Sequence, residues 1–96
     1  MLRRKKIKIG KKYIQGYLIP LQKNVCIVLR GSNGYVMCGY LDIRTANKSR
    51  ECAVRISGVT TFEEALNARA ESVSRAAESR GVKKNQRIRE ILPRIV

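Results

Sequence analysis

The chain opens on an alternation. Ile7 and Ile9 stand between lysines, and Tyr13, Ile14, Tyr17, Leu18 and Ile19 extend a run of β-branched and aromatic residues. Such side chains suit a pleated, half-buried surface, so the stretch predicts an edge strand over 7–18, interrupted by Gly10 and kinked near Gly16. Pro20 has no N–H to give a ladder and closes it. Residues 1–6 precede the pattern as a basic arm, frayed unless a partner orders it. Next, 25–29 (V-C-I-V-L) is an unbroken apolar run between polar flanks, the mark of a strand buried on both faces. Gly31-Ser32-Asn33-Gly34 follows, and Asn-Gly between two apolar runs signals a hairpin, with 35–41 as the antiparallel return strand.

Beyond the hairpin the period changes. Asp42 ends the return strand and suits the cap of a short helix over 43–49, because its carboxylate can accept first-turn amides. Residues 52–57 alternate again as a strand, stopped by Gly58. Thr60 and Thr61, with Glu63 and Glu64 three residues behind each, form a capping box in two registers. Phe62, Leu66, Ala70, Val73 and Ala77 hold helical spacing as far as Arg80, as one helix or as two that break at Asn67. Gly81 suits a left-handed C-terminal position. Asn85 suits the cap of a last helix over 86–92, with Ile88, Ile91 and Leu92 as its apolar face and Pro93 after it. These elements predict one α+β domain, a mainly antiparallel sheet with the 25–41 hairpin at its centre and helices packed on one face. Residues 1–12 form a basic arm running into the first strand, and 13–96 the domain proper.

Composition adds bounds. A chain of 96 residues buries only about 60–65% of its unfolded surface, so the core is modest and a homo-oligomer stays open. A hydrophobic fraction of 44% is that of a globular chain. The net charge of +14 lies mostly at the ends: residues 1–12 hold seven basic residues and no acid, and 81–96 hold five against one. Arg3, Arg4, Lys5, Lys6, Lys8, Lys11, Lys12, Lys83 and Lys84 are therefore the candidate contacts to RNA, DNA or another polyanion, since basic residues neutralise phosphates whatever the base sequence. The same residues also suit a solvated strand edge protected from aggregation. Three cysteines without a C-x-x-C pair, no apolar signal segment and no apolar run near membrane-spanning length point to a cytoplasmic protein with reduced thiols and no membrane partner.

Candidate chemistry is sparse. The chain has no histidine, which removes the usual general base and most zinc sites, and no metal or cofactor motif is present. Walker loops, G-x-G-x-x-G and RNP aromatic patterns are absent. Cys38 and Asp42 are the weak catalytic candidates, four residues apart, with a helix start nearby to favour a thiolate and Asp42 itself to oppose it. A buried strand cysteine and a plain helix cap are the simpler account of both. Tyrosines also alternate with basic residues at Lys11-Lys12-Tyr13, Tyr17 and Arg30…Tyr35, a composition that can stack bases while cations meet phosphates. Aromatics make up only 5% of the chain, which is thin for a stacking platform, and ordinary strand tyrosines are the simpler account.

Three segments carry a family likeness: G-Y-V-M-C-G-Y-L-D at 34–42, I-S-G-V-T-T-F-E-E-A-L at 56–66 and E-S-V-S-R-A-A-E-S-R-G at 71–81. In this order, within a match over about 14–92, they resemble the YunC-like family, a small bacterial and archaeal domain of unknown function. The resemblance implies a compact α+β domain with a helix-covered sheet, and it implies no activity. The segment between Asp42 and Cys52 is shorter than the family pattern, Arg69 stands where relatives can have proline, and the basic arm is peculiar to this chain. The expectation is a non-enzymatic binding or assembly module with polyanion affinity. The alternative is a small-molecule site or cryptic enzyme around Cys38 and Asp42.

Overall fold

Gly10 decides how the fold begins. In the computed structural model, which describes residues 2–96, Gly10 has φ +62° while Lys11 keeps an ordinary backbone. Glycine in the left-handed region at the first central position is the signature of a tight type II′ hairpin, and Ile9 pairs with Lys12 across it. The single interrupted strand expected over 7–18 is therefore two, β1 (Arg3–Ile9) and β2 (Lys12–Pro20). The basic arm expected to fray over 1–6 belongs to β1 from Arg3 onward. Its charged residues hid the strand, because alternation of arginine and lysine carries no apolar signal.

The sheet then grows outward in chain order. β3 (Val25–Arg30) is antiparallel to β2, and β4 (Tyr35–Met37) is antiparallel to β3 across loop 31–34. Helix α1 (Ile43–Lys48) carries the chain across to β5 (Ala53–Arg55), which runs parallel to β4, and β6 (Ser72–Val73) adds an antiparallel edge. The result is a six-stranded sheet of order β1-β2-β3-β4-β5-β6, mainly antiparallel, with the β3–β4 hairpin at its centre.

Alternation along each strand sorts the faces. Ile14, Ile27, Leu29, Val36, Val54 and Ile56 point to one side and are almost wholly buried. They meet Leu66, Ala77, Ile88, Ile91 and Leu92 from α2 (Phe62–Asn67), α3 (Arg75–Ser79), α4 (Ile88–Ile91) and the 3-10 turn Leu92–Arg94, together with Val82 from the α3–α4 connection and Ile95 after the turn. Each large aliphatic side chain buried there contributes about 1.5–3 kcal/mol. Gly16 admits the ring of Phe62, since a Cβ at that position would stand 2.8 Å from its Cε1. On the opposite face only α1 is laid down: Ala46 packs with Leu41 and Ala53, beside Tyr35, Met37 and Ile43. Among the described residues no helix lies on that face over β1, β2 and β3.

Other expectations need adjustment. β3 alternates, with Ile27 and Leu29 buried and Cys26 and Val28 half-buried, because no helix covers its second face. Helical spacing over 62–80 conceals a break after Asn67, a bridge between Arg69 and Arg87, and β6, before α3 starts at a Ser74 cap. Asn85 does not cap the last helix. It sits at φ +74°, and α4 starts from Arg87 without a side-chain cap.

Candidate functional site

The uncovered face can be built strand by strand. Residues directly opposite in an antiparallel ladder share a face. Arg4, Lys6 and Lys8 of β1 pair with Tyr17, Gln15 and Tyr13 of β2. Tyr17 and Gln15 pair onward with Val28 and Arg30 of β3, which pair with Met37 and Tyr35 of β4. One row thus reads Lys6–Gln15–Arg30–Tyr35 and the next Arg4–Tyr17–Val28–Met37. Strand spacings of about 4.8 Å across and 3.3 Å per residue along put the three tyrosines at corners roughly 12–13 Å apart. Tyr13 is 53% exposed, and Lys6 holds its Nζ 5.3 Å from the Tyr13 ring centroid, within cation–π range.

Where β2, β3 and β4 meet loop 31–34, the face deepens into an open cleft of about 810 Å³. Tyr13, Gln15, Arg30, Tyr35, Glu51 and Arg80 line it together with the loop. The loop is tied down from the other end of the chain. Asn33 donates its backbone N–H to the Ile95 carbonyl at 2.9 Å and its side-chain amide to the Val96 oxygen at 2.9 Å. Gly34 lies against Cys52, where a Cβ would stand 2.7 Å from the sulfur. Across the cleft the Tyr35 hydroxyl donates to Glu51 Oε1 at 3.0 Å. Burial, and then the bond to Glu51, push the Tyr35 phenol up to about 12.

The nine basic candidates do not gather at one place. Arg4, Lys6 and Lys8 share the open face, whereas Arg3 and Lys5, paired with Leu18 and Gly16, point to the other. Lys11 and Lys12 lie at the β1–β2 turn, and Lys83 and Lys84 lie in the α3–α4 connection on the helical side. Arg30, read in the sequence only beside Tyr35, and Arg80, Glu51 and Gln15, which the sequence did not mark, complete the face and its cleft. Arg30 and Tyr35 flank the hairpin loop and were legible as neighbours. Glu51 and Arg80 reach the cleft only through the α1 crossover and α3, so no local signal marks them.

Cys38 and Asp42 are positioned by different demands. Asp42 caps α1: Arg44 N–H donates to Oδ1 at 3.0 Å and the Thr45 hydroxyl to Oδ2 at 3.2 Å. The Arg44 amide, with Thr45, holds the carboxyl below its usual range. Cys38 is 5% exposed, and its sulfur approaches the Val25 carbonyl at 3.9 Å. It walls a cleft of about 330 Å³ lined by Asn24, Val25, Tyr40 and 57–60, without Asp42 and without any charged residue. Burial, and then the neighbouring Cys38 thiol, push Cys26 up to about 11. Cys52 is also raised by burial, with Arg80 opposing. Among the described residues no group of three or more His, Cys, Asp or Glu side chains could hold a metal ion, and no helix is long and apolar enough to cross a membrane.

Comparison with known proteins places this architecture. The model of a domain of unknown function, DUF1805, matches residues 37–95. The chain belongs to the DUF1805 family. It is 36% identical over 78 residues to the uncharacterized protein YunC of Bacillus subtilis (strain 168), an alignment covering 77% of each chain. It also superposes on the crystal structure of TA1206, a protein of unknown function from Thermoplasma acidophilum, with TM-score 0.97 and 32% identity, covering 100% of this chain and 94% of that one. The family likeness read from 34–42, 56–66 and 71–81 is thereby shown. The DUF1805 match begins at Met37, so it includes Glu51 and Arg80 of the cleft but not β1, β2 or β3.

Proposed function

We propose that this DUF1805 protein is a non-enzymatic binding module that holds single-stranded nucleic acid on the uncovered face of its sheet. The observation that carries the reading is one surface on which Tyr13 and Tyr17, with Tyr35 at the margin of α1, are interleaved with Arg4, Lys6, Lys8 and Arg30, and which α1 covers only at its β4–β5 end. Rings on a sheet offer stacking surfaces to unpaired bases, each stacked base contributing about 1–3 kcal/mol, while the cations meet phosphates. A duplex keeps its bases stacked on one another and gains only the electrostatic part.

Binding of a labelled single-stranded oligonucleotide, followed by fluorescence anisotropy, tests this. With the four cations each meeting a phosphate, log K falls against log salt with a slope of roughly −3. Lys6→Glu lowers affinity for all sequences alike, and Tyr13→Ala weakens single strands more than duplex. Point substitution is the right perturbation, because deleting 1–6 would remove most of the edge strand. Salt-independent binding, or no binding near about 50 mM salt, refutes the reading. Basic side chains along β1 oppose pairing of that edge with a second copy, which makes a nucleic-acid partner the better account than self-association. Free Cys26, Cys38 and Cys52 suit a reducing, cytoplasmic setting. The alternative site at Cys38 and Asp42 has less to support it, since the carboxylate is committed to its cap and the thiol faces no cation in its cleft.

A further inference from the structure

An acid in a phosphate-binding surface calls for an explanation, and Glu51 is the one acidic residue lining the cleft at the end of the open face. It stands among Arg30 and Arg80, where a carboxylate weakens the attraction for phosphate that these arginines supply. The Tyr35 hydroxyl fixes it by donating to Oε1. A phenol is a protonated donor around neutral pH, so the carboxylate stays held. A carboxylate accepts about four hydrogen bonds, so the bond from Tyr35 leaves acceptor sites on both oxygens free.

We propose that this cleft reads guanine in the bound strand, with Glu51 accepting from the Watson–Crick edge of the base. The proposal rests on the single-strand reading of the same face and names the base that one part of it selects. The chemistry is selective, since a carboxylate only accepts. Guanine presents two adjacent donors, N1–H and the N2 amino group, which match the two oxygens. Adenine and cytosine present one amino donor beside a ring nitrogen that repels the carboxylate. Uracil presents one N–H between two carbonyls. Tyr13 and Tyr35 border the cleft with ring surface, Arg30 and Arg80 flank it for the adjoining phosphates, and its 810 Å³ lies within the range of small-molecule sites, about 300–1,000 Å³.

The test uses the full chain and RNA oligomers about eight nucleotides long, uridine throughout except for one central G, A, C or U, in anisotropy titrations at low salt. The expected result is a preference for the G oligomer by roughly ten- to a hundredfold, the range of a bidentate base contact. In Glu51→Gln that preference largely disappears while all-uridine binding is kept or strengthened. Equal binding of the four oligomers, unchanged in Glu51→Gln, overturns the guanine subsite and leaves the single-strand reading intact. If no oligomer binds, the single-strand reading fails, and titration with guanosine monophosphate followed by NMR decides the subsite separately. Shifts at Tyr35 and Glu51 that adenosine monophosphate does not cause support it, and their absence overturns it.

Discussion

Ser74 offers the sharpest test of how the sheet and helices are joined. Its side chain is 0% exposed. The hydroxyl donates to the Glu51 carbonyl at 2.7 Å and accepts the Ala53 N–H at 2.9 Å and the Ala77 N–H at 3.2 Å. One oxygen thus secures the start of β5, caps α3 and ties the residue that points into the cleft, with its single donor and both acceptor sites in use. Ser74→Ala removes the helix cap, worth about 1 kcal/mol. It also strands the buried Ala53 N–H and the Glu51 carbonyl, and an unsatisfied buried group costs about 1–3 kcal/mol. Allowing for water reaching the half-buried carbonyl, the expected loss is about 3 kcal/mol. For a domain of this size each kcal/mol lowers Tm by about 4–8 °C, so the shift is roughly 12–24 °C. Ser79→Ala is the control: its exposed hydroxyl donates to the Arg75 carbonyl, and its loss stays within about 0.5 kcal/mol. Urea unfolding followed by circular dichroism measures both. A Ser74→Ala loss below about 1 kcal/mol would show that the three bonds do not carry the junction.

Two titration and reactivity predictions follow from the same geometry. Tyr35, raised to about 12 from an ordinary 10, contributes stability that is complete below pH 10 and is lost as pH rises from 10 to 12. Absorbance titration should show a late-ionising component that Tyr35→Phe removes, and a curve whose late part Tyr35→Phe leaves unchanged would contradict the bond to Glu51. Under native conditions the half-exposed Cys26 should be alkylated ahead of Cys38 and Cys52, and slowly below pH 9 because its thiol sits near 11. Mass spectrometry orders the three, and a Cys38 that reacts first would restore the alternative site.

The middle of the fold was legible because its signals are local. An apolar run, Asn-Gly, a second apolar run and a capping aspartate are all read within a few residues, and β3, β4 and the Asp42 cap of α1 stand there. The capping box reads the same way, with Thr61 accepting from Glu64 N–H and the Glu64 carboxylate accepting from Thr60 N–H. The misses share a cause. β1 is an edge strand with no helix over one face, so its residues alternate charge with charge. β6 is two residues long and owes its place to pairing with β5 rather than to its own pattern. The parallel β4–β5 pairing depends on a crossover that no short window records.

The proposed binding surface shows the same division more severely. Basic residues at 3–8 look like one cluster in the sequence, yet a period of two sends Arg4, Lys6 and Lys8 to the open face and Arg3 and Lys5 to the other. Charge counting therefore groups side chains that the sheet separates, and leaves out Arg30, which reaches the open face from β3. The tyrosines looked too few because they were weighed against the whole chain. The proposed reading depends instead on their density on one face, and three of the four, Tyr13, Tyr17 and Tyr35, fall on it. Glu51 lies sixteen residues from Tyr35 and gains its meaning only when α1 folds the chain back. A reading of function from this sequence needed the register of the sheet more than it needed a motif, because the proposed chemistry is the sum of alternate positions on four strands.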